Sequence, residues 1–376
     1  MQAVILAGGE GTRLRPLTLT RPKPAIPLVD RPFIRYVIDW VVAHGADEVL
    51  IACGFGADAV RDSLARFGAP AVEITYLEEA QPLGTAGPLG LAADQGLLED
   101  RFLCLNGDVL ADLDLGALIR SHAEHGGVAS IALHPVEDPS SYGLVRRAGG
   151  PSAPGAAPST AEGEVEEFLE KPDPEHIDTD EVSAGAYVLE REIVEWIPRD
   201  RAVSIEHEVF PRLVGGGLYG HRLEGYWMDI GTPERYLQAT RDILEGRVRT
   251  EAGARLDSAG LLVAEGARVD PAATVRPPAL IESEAEVGPG STIGAHAVIG
   301  GGSEIGAEAI VSSAVVMGDC RVGSGAELHD AILAPGVTVG EGARLGGGAV
   351  IGEGAEIEPG AEIGDGARLA PGEVVR

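Results

Sequence analysis

Short apolar runs alternate with segments of helical periodicity in the N-terminal part of the chain. The apolar runs predict buried strands at Ala3–Leu6, Val49–Ala52, Val72–Tyr76 and Phe102–Leu105. Apolar residues spaced by three and four predict helices between these strands, over residues 31–44, 57–67 and 84–94. This strand–helix alternation indicates an α/β fold with a doubly wound, mostly parallel, Rossmann-like sheet.

Around residue 246 the pattern changes, and apolar residues recur at every sixth position. With two five-residue steps, the series runs through Val263, Val269, Val275, Ile281, Val287, Ile293, Ile299, Ile305, Val311, Met317, Val322, Leu328, Leu333, Val339, Leu345, Ile351, Ile357, Ile363 and Leu369. A hexapeptide period of this length is typical of a left-handed parallel β-helix, in which each hexad forms one face of a triangular coil. The sequence therefore predicts a first domain over 1–245, a linker over 246–260 and a β-helix over 261–376.

Residues 149–163, GGPSAPGAAPSTAEG, contain no large apolar side chain. Such a segment cannot offset its ordering entropy by burial. Because strand-like motifs resume after it, we interpret it as a mobile hairpin loop between strands around Leu144 and Phe168. The alternative is a lid over a binding site.

The composition narrows the classes of function. A net charge of −30 over 376 residues argues against nucleic-acid binding, which requires a basic face. Three distant cysteines and no C-x-x-C motif indicate buried thiols in a reducing compartment. The chain begins directly with a strand and has no apolar run near the roughly 20 residues that span a bilayer. We therefore expect a cytoplasmic protein without a membrane partner.

The stretch LAGGEGTRLRPLTLTRPKPAIP, residues 6–27, is the strongest candidate for chemistry. A glycine-rich turn after a strand lets backbone N–H groups approach a phosphate, and Arg13 and Lys23 add positive charge there. The spacing matches neither G-x-G-x-x-G nor a P-loop. Lys23 and Lys171 are the two lysines among 29 basic residues, which suggests that these positions need a compact ammonium group.

This stretch resembles the nucleotide-sugar pyrophosphorylases, the sugar-1-phosphate nucleotidylyltransferases. Further similar motifs follow in the expected order, namely EEAQPLGTAG at 78–87, NGDV at 106–109, YGLV at 142–145, EFLEKP at 167–172, SIEHEVF at 204–210 and GYWMDIGT at 225–232. The resemblance covers nearly the whole chain and is closest to the mannose-1-phosphate guanylyltransferase branch. It implies that residues 1–245 form the catalytic domain.

The implied reaction is attack by a sugar-1-phosphate oxygen on the α-phosphorus of a nucleoside triphosphate, with loss of pyrophosphate. Such transfers need positioning and charge neutralisation. The resemblance assigns Arg13 and Lys23 to the phosphates, and it assigns Asp108 and Asp229 to a Mg²⁺ ion, which takes few carboxylates plus phosphate oxygens. These four residues are the expected catalytic group.

The resemblance also implies two sets of substrate contacts. Nucleotide contacts are expected from Leu6, Ala7, Gly8, Gly9, Gly11, Thr12, Glu79, Pro82, Gly84 and Thr85. Sugar-phosphate contacts are expected from Gly143, Glu170, Lys171, Ser183 and Gly185. The family often has Asn-Ala-Gly where this chain has Ser183-Ala-Gly185, and a serine replaces only part of the hydrogen bonding of an amide.

The identity of the base depends on the segment that follows the third strand. Guanine presents two adjacent donors, which one carboxylate can accept, so Glu79 would read guanine and GTP would be the nucleotide. Gln81 would instead suit uracil or thymine. GTP with mannose 1-phosphate is thus the leading interpretation.

Three other interpretations stay open. Glucose 1-phosphate could be used with a thymidylyl, uridylyl or adenylyl donor, or the chain could be a non-catalytic regulatory subunit that binds a nucleotide sugar. His296 or His329 could serve an acyltransferase site on the β-helix, although neither has a lysine or a second histidine cluster nearby in sequence. The β-helix is expected to mediate self-association into a homo-oligomer.

Overall fold

Nine strands form one mixed sheet in the computed structural model, which describes residues 1–54, 56–67 and 72–376. In chain order they are β1 Gln2–Leu6, β2 Glu48–Cys53, β3 Glu73–Glu78, β4 Arg101–Asn106, β5 Ala129–Pro135, β6 Gly143–Arg147, β7 Glu162–Glu170, β8 Glu181–Glu190 and β9 Leu218–Arg222. Across the sheet the order is β3-β2-β1-β4-β8-β5-β9-β7-β6. The predicted Rossmann-like arrangement is confirmed.

The first four strands form an all-parallel part of the sheet, and β9 also pairs in parallel with β5. β1 pairs in parallel with β2 and with β4, and β2 pairs in parallel with β3. Every residue of β1 is buried, as expected for a strand covered on both faces. The carboxyl ends of β1 and β4 therefore lie side by side, with Leu6 opposite Asn106.

The other half of the sheet is less parallel than the sequence predicts. β8 runs antiparallel to β4 and to β5, and β7 runs antiparallel to β6 and to β9. The β6–β7 pair is a hairpin, since Val165 to Glu170 return along Gly143 to Arg147. Residues 149–161 therefore lie in a hairpin connection, as predicted, whereas Glu162 and Gly163 already belong to β7 and pair with β9. A hairpin requires antiparallel strands.

Helices and further short strands lie outside the nine-stranded sheet. The helices are α1 Phe33–Ala43, α2 Ala57–Arg66, α3 Gly87–Asp94, α4 Leu115–His125, α5 Phe210–Leu213, α6 Pro233–Leu244 and α7 Glu251–Ala254. Short strands occupy Pro27–Leu28, Arg31–Pro32, Val109–Ala111 and Trp227–Asp229. α1 begins two residues later than expected because Arg31 and Pro32 pair with Pro27 and Leu28.

Twenty short strands after residue 260 form three parallel sheets, which we call faces 1, 2 and 3. Face 1 contains Leu261–Val263, Ala279–Ile281, Ala297–Ile299, Val315–Val316, Ile332–Leu333, Val350–Ile351 and Arg368–Leu369. Face 2 contains Arg268–Val269, Glu286–Val287, Glu304–Ile305, Arg321–Val322, Thr338–Val339, Glu356–Ile357 and Val374–Val375. Face 3 contains Thr274–Val275, Thr292–Ile293, Ile310–Ser312, Glu327–His329, Arg344–Leu345 and Glu362–Ile363. Successive strands visit the faces in rotation, which fits the predicted left-handed β-helix.

The β-helix core shows where the sequence register shifts. Val316, and not Met317, belongs to the central apolar cluster, and it pairs with Ile299 and Leu333 in the neighbouring coils. The shortened steps are therefore Val311 to Val316 and Leu328 to Leu333, which both lead from face 3 to face 1. Met317 is also buried, so hydrophobicity alone could not identify the inward residue.

By its internal contacts the chain forms two compact units. The first unit contains Met1–Gly9 and Ile34–Trp227, and the second contains Glu10–Phe33 and Met228–Arg376. The second unit thus combines the β-helix, α6 and α7 with a segment from near the N-terminus. The domain boundaries at 245 and 261 remain a prediction. Among the described residues, no helix has the length and apolar character required to span a bilayer.

A fully buried ion pair fastens β6 to β8 in the first unit. The Arg147 guanidinium donates two hydrogen bonds to the Glu181 carboxylate, at 2.8 and 2.9 Å, and neither side chain is exposed. Burial raises the pKa of Glu181 above its ordinary value, and the hydrogen bonds from Arg147 oppose that rise. The ionised pair is therefore stable only while both partners are present.

We expect Arg147→Met to lower the free energy of unfolding of the first unit by about 3 kcal/mol, because it leaves the buried Glu181 carboxylate without its main partner. Urea denaturation followed by tryptophan fluorescence measures this, since Trp40, Trp196 and Trp227 all lie in that unit. The double variant Arg147→Met/Glu181→Leu should recover most of the loss. A double variant as unstable as the single one would contradict this explanation.

Candidate active site

The predicted phosphate loop begins where β1 ends, in the first unit. The Ala7 amide donates to the Ala52 carbonyl at 2.9 Å, which keeps the chain aligned with β2 for one further residue. Gly8 and Gly9 then leave the sheet and are exposed. A Cβ atom on Gly8 would lie 3.2 Å from Oε1 of Glu79, so this glycine lets the carboxylate approach the backbone closely.

Glu79 begins the loop that follows β3 and is held there by two hydrogen bonds. Its own amide donates to the Cys53 carbonyl at 3.0 Å, and its Oε2 accepts a 2.9 Å hydrogen bond from the Leu83 amide. Burial raises the pKa of Glu79, and the bond from Leu83 acts in the opposite direction. The carboxylate has further lone pairs beyond this bond, so it can still accept from a ligand.

Asp108 lies in a tight turn at the end of β4. The preceding Gly107 donates to the Leu6 carbonyl at 2.9 Å, and a Cβ atom at residue 107 would approach that carbonyl to 2.8 Å. A side chain at this position would force the two strand ends apart. The turn therefore holds Asp108 beside the beginning of the phosphate loop, as the parallel order of β1 and β4 requires.

The rest of the phosphate motif belongs to the second unit. Gly11 has φ of 57°, and a Cβ atom there would lie 2.9 Å from the Thr18 side chain and 3.3 Å from Cβ of Lys23. The Thr18 hydroxyl donates to the Gly11 carbonyl at 2.9 Å. Thr12–Leu14 then form a 3-10 turn that carries Arg13 outward. Gly11 is thus the point on which the segment folds back towards Lys23.

Asp229 is the centre of a charged cluster in the second unit. Its carboxylate lies 3.1 Å from Nη1 of Arg235, 3.9 Å from Nη2 of Arg13 and 4.0 Å from Nζ of Lys23. Asp229 and Lys23 are largely buried, whereas Arg13 is 63% exposed. A Cβ atom on Gly231 would lie 2.6 Å from Nη2 of Arg13, so this glycine makes room for the guanidinium.

Arg235 is a member of this cluster that sequence reasoning missed. It lies in the first turn of α6, which Pro233 begins and the Thr232 hydroxyl caps by accepting from the Arg235 amide. If the sequence analysis had predicted a helix directly after GYWMDIGT, it would have placed residue 235 near Asp229. The sequence argument followed the quoted motif and stopped at residue 232.

Three basic side chains thus lie within 4.0 Å of the Asp229 carboxylate. Negative phosphate groups suit such a surface. Asp108 and Asp229 offer the hard oxygen ligands that Mg²⁺ prefers, and among the described residues no group of three or more His, Cys, Asp or Glu side chains is arranged to hold a metal. Each of the two carboxylates, taken by itself, has the chemistry of a ligand for a metal that binds few carboxylates together with substrate phosphates.

The predicted sugar-phosphate residues lie in the first unit, on β6, β7 and β8 and, for Lys171, directly after β7. Gly143 pairs with Glu170, and a Cβ atom on Gly143 would lie 2.6 Å from the Phe168 ring and 3.0 Å from Oε2 of Glu170. The Lys171 ammonium lies 3.7 Å from Oε1 of Glu170 and is 66% exposed. Burial and the nearby Glu206 carboxylate raise the pKa of Glu170, whereas Lys171 lowers it.

Ser183 and Gly185 lie on β8 beside these residues. The Ser183 hydroxyl is 3.3 Å from the Tyr187 hydroxyl, and the Gly185 amide donates to Ser183 Oγ at 3.4 Å. Gly185 has φ of 69°, and a Cβ atom there would lie 2.8 Å from Nδ2 of Asn106. Gly185 therefore makes room for the Asn106 amide, at the strand end next to Asp108.

Thr85 contacts a second residue that the sequence analysis did not select. Its hydroxyl donates to Oε2 of Glu206 at 2.6 Å and accepts from the Ile205 amide at 2.8 Å. Glu206 and His207 line a cavity of about 320 Å³ together with Glu170 and Lys171. The motif SIEHEVF had been recognised as a whole, but nothing in the sequence indicated which of its carboxylates points inward.

The structure thus gathers the predicted residues within each unit. The first unit holds Leu6, Ala7, Gly8, Gly9, Glu79, Pro82, Gly84, Thr85, Asp108, Gly143, Glu170, Lys171, Ser183 and Gly185, and the second holds Gly11, Thr12, Arg13, Lys23 and Asp229.

Gly84 has a structural role as well. Its φ is 79°, and a Cβ atom would come within 2.4 Å of the Val203 carbonyl.

Solved structures with a similar fold include HddC from Yersinia pseudotuberculosis. It aligns with a TM-score of 0.53 and 27% identity over 63% of this chain and 97% of that chain, and a second HddC structure is complexed with GMP-PN. A putative glucose-1-phosphate thymidylyltransferase from Bacillus anthracis aligns with a TM-score of 0.57 and 23% identity over 68% of this chain and 99% of that chain. The latter likeness concerns the fold alone.

Curated relatives are identical to this chain at about a third of the aligned positions. A mannose-1-phosphate guanylyltransferase from Mycobacterium tuberculosis is 34% identical over 73% of this chain and 72% of its own length. Mannose-1-phosphate guanylyltransferase 1 of Arabidopsis thaliana is 35% identical over 75% and 74%. The GMPPB C-terminal domain profile matches residues 275–374, and the nucleotidyl transferase profile matches residues 2–246. The chain therefore belongs to the nucleotidyl transferase family of enzymes.

Proposed function

We propose that the protein transfers the guanylyl group of GTP to mannose 1-phosphate, which gives GDP-mannose and pyrophosphate. The curated relatives with this name support the choice of substrates. The observation that carries the proposed chemistry is the cluster in which Arg13, Lys23 and Arg235 face Asp229. Such a cluster suits a polyphosphate, whose charge must be neutralised while a bond to phosphorus is exchanged.

In the proposed reaction, a phosphate oxygen of mannose 1-phosphate forms a bond to the α-phosphorus of GTP. The bond between that phosphorus and the oxygen that bridges to the β-phosphate breaks, and pyrophosphate leaves with the electron pair. Arg13 and Lys23 would neutralise the charge that develops on the leaving group. Gly8 and Gly9, which carry no side chain, would let their backbone approach the phosphates closely.

We propose that Lys171 binds the phosphate of the sugar substrate and that Glu170 accepts hydrogen bonds from its hydroxyl groups. Lys171 suits this role because its ammonium group is exposed, whereas the carboxylate of Glu170 is largely buried. Gly143, Ser183 and Gly185 would allow the sugar to lie close to the backbone. Glu206 and His207 belong to the same cavity and extend this proposed subsite.

Enzymes of this family normally use a divalent metal, and we propose Mg²⁺ held by Asp108 and Asp229. When bound, such an ion neutralises phosphate charge and helps to orient the reacting oxygens. Asp108 would be supported by its tight turn and Asp229 by Arg235. The turn and Arg235 would each hold one carboxylate in place, and neither would add a further ligand for the metal.

We also propose a homo-oligomer that works in the cytoplasm. Cys53, Cys104 and Cys320, all within the described residues, are buried free thiols, which suits a reducing compartment. The β-helix offers flat faces for self-association.

The substrates can be tested with a matrix of four nucleoside triphosphates against mannose 1-phosphate and glucose 1-phosphate, with pyrophosphate release as the readout. The proposed function requires the highest kcat/KM for GTP with mannose 1-phosphate. Absence of release from every pair would instead favour a regulatory subunit.

The two lysines should separate the two substrates. We expect Lys23→Ala to raise the KM for the nucleoside triphosphate by at least about tenfold, because an ion pair with phosphate is lost, with little change in the KM for the sugar phosphate. Lys171→Ala should have the reverse effect. Each variant is the control for the other, and equal effects on both KM values would contradict the assignment.

Removal of either carboxylate charge should slow the reaction. We expect Asp108→Asn and Asp229→Asn each to lower kcat by at least about a hundredfold, because an amide neither balances the cations nor binds a metal as a carboxylate does. Asp94→Asn, at an exposed ion pair with Arg199, is the matched control. Circular dichroism should show an intact fold, and near wild-type kcat in either variant would contradict the role of that residue.

The base preference should depend on Glu79. We expect Glu79→Gln to reduce the preference for GTP over dTTP by at least about tenfold, because an amide oxygen can accept from the Leu83 amide but the side chain no longer accepts both guanine donors. Glu78→Gln, at an exposed neighbouring carboxylate, should leave the preference unchanged. If the wild-type enzyme prefers dTTP or UTP to GTP, the assignment of guanine to Glu79 is wrong.

A further inference from the structure

The segment Glu10–Phe33, which carries Arg13 and Lys23, is fastened to later parts of the second unit. Three sets of contacts hold it, and they join Thr20 and Arg21 to Glu353, Pro27 to Tyr236, and Asp30 and Arg31 to Arg255 and Glu251. The last two sets involve α6, α7 and the residue after α7. The first set reaches the β-helix itself.

Glu353 receives two hydrogen bonds on a single oxygen atom. The Thr20 hydroxyl donates to Oε2 at 2.7 Å, and Nη2 of Arg21 donates to the same atom at 2.9 Å. The side chains of Arg21 and Glu353 are 26% and 38% exposed, so solvent screens this ion pair only in part. A shared acceptor fixes both donors relative to one point on the β-helix.

The backbone that carries Glu353 is itself rigidly supported. Glu353 lies in the turn between the sixth strand of face 1 and the sixth strand of face 2. The Gly354 amide donates to the Pro335 carbonyl of the preceding coil at 3.0 Å, and the Glu353 carbonyl accepts from the Gly372 amide of the following coil at 2.9 Å. The turn is thus hydrogen-bonded to the coils on both sides.

The chain transmits this anchorage from Arg21 to Lys23 over a very short path. Pro22 and Pro24 flank the lysine, and the proline rings restrict the backbone dihedrals on both sides. Lys23 to Ala25 form a 3-10 turn in which the Ile26 amide donates to the Lys23 carbonyl at 3.1 Å. A displacement of Arg21 therefore moves the lysine as well.

We propose that Glu353 is a positioning residue for the transfer reaction: it holds Thr20 and Arg21 so that Lys23 is aligned with Asp229 to receive the triphosphate. The β-helix then has a direct role in substrate binding, in addition to any self-association. This inference rests on the proposed role of Lys23. It assigns no contact with substrate to Glu353.

The protonation state of Glu353 agrees with this role. Burial alone would raise the pKa of this carboxyl group, but the hydrogen bonds from Thr20 and Arg21 outweigh that effect and leave the pKa below its ordinary value. A lowered pKa means that the contact stabilises the folded state above the ordinary pKa and is lost as the pH falls through the folded-state value. The carboxylate is therefore ionised at neutral pH.

The test uses the full chain with Glu353→Ala and the matched control Glu358→Ala. Glu358 also lies on the β-helix, and its partner is Arg376 at 3.2 Å, far in sequence from the segment Glu10–Phe33. Hydrogen exchange reports on the segment through the amides of Leu19, Ala25 and Ile26, which are hydrogen-bonded within it. Steady-state kinetics report KM for GTP and for mannose 1-phosphate separately.

In Glu353→Ala we expect about tenfold faster exchange of these amides and an increase of about tenfold in the KM for GTP, because two hydrogen bonds to a charged group are lost. The KM for mannose 1-phosphate and the thermal midpoint of the β-helix should stay near wild type, and Glu358→Ala should change none of these values. The reversed pair Arg21→Glu/Glu353→Arg should recover part of the loss.

Unchanged exchange in Glu353→Ala would overturn the positioning role. Faster exchange with an unchanged KM for the triphosphate would overturn it as well, because the contact would then order the segment without aligning the lysine. An equal increase in both KM values would point to general damage and count against it. If the wild-type enzyme uses another triphosphate, the proposed substrates are wrong, and the same comparison is made with that triphosphate.

Discussion

The arrangement of the phosphate motif depends on the ion pairs that the Asp229 carboxylate forms with three basic side chains. Arg13, Lys23 and Arg235 would repel one another at such short range without a negative charge between them. The carboxylate removes that repulsion, and Gly231 supplies the space that the Arg13 guanidinium occupies. Positive charge is thereby concentrated at a point where a polyphosphate can be recognised.

The order of residues along the chain differs from their grouping in space. The chain leaves the first unit after Gly9, returns to it at Ile34 and leaves it again after Trp227. The phosphate motif, which reads as one continuous signature, is therefore divided. Its two adjacent glycines belong with the parallel sheet, whereas Arg13 and Lys23 belong to the same unit as α6 and the β-helix. A sequence-based division at residue 245 does not reveal this.

The sequence was most informative where a local pattern determines the structure. Continuous apolar runs predicted the strands of the sheet, apolar residues at every sixth position predicted the coils, and the glycines predicted the loop that follows β1. Prediction stopped where the outcome depends on distant partners. Val316 and Met317 are both hydrophobic and both buried, so the pairing with the neighbouring coils decides which one faces inward. Glu206 meets Thr85 across 121 positions, and Glu353 meets Thr20 across 333 positions.

The contact of Glu353 also bears on how this protein can change length during evolution. Each coil of about 18 residues contacts only its neighbours, so a solenoid can gain or lose one coil while the other coils stay intact. Here, insertion or deletion of a coil before Glu353 would move its carboxylate along the axis by a full strand spacing of about 4.8 Å, out of hydrogen-bond range of Thr20 and Arg21. This contact therefore fixes the number of coils that precede Glu353, whereas coils added after the last one would leave it undisturbed.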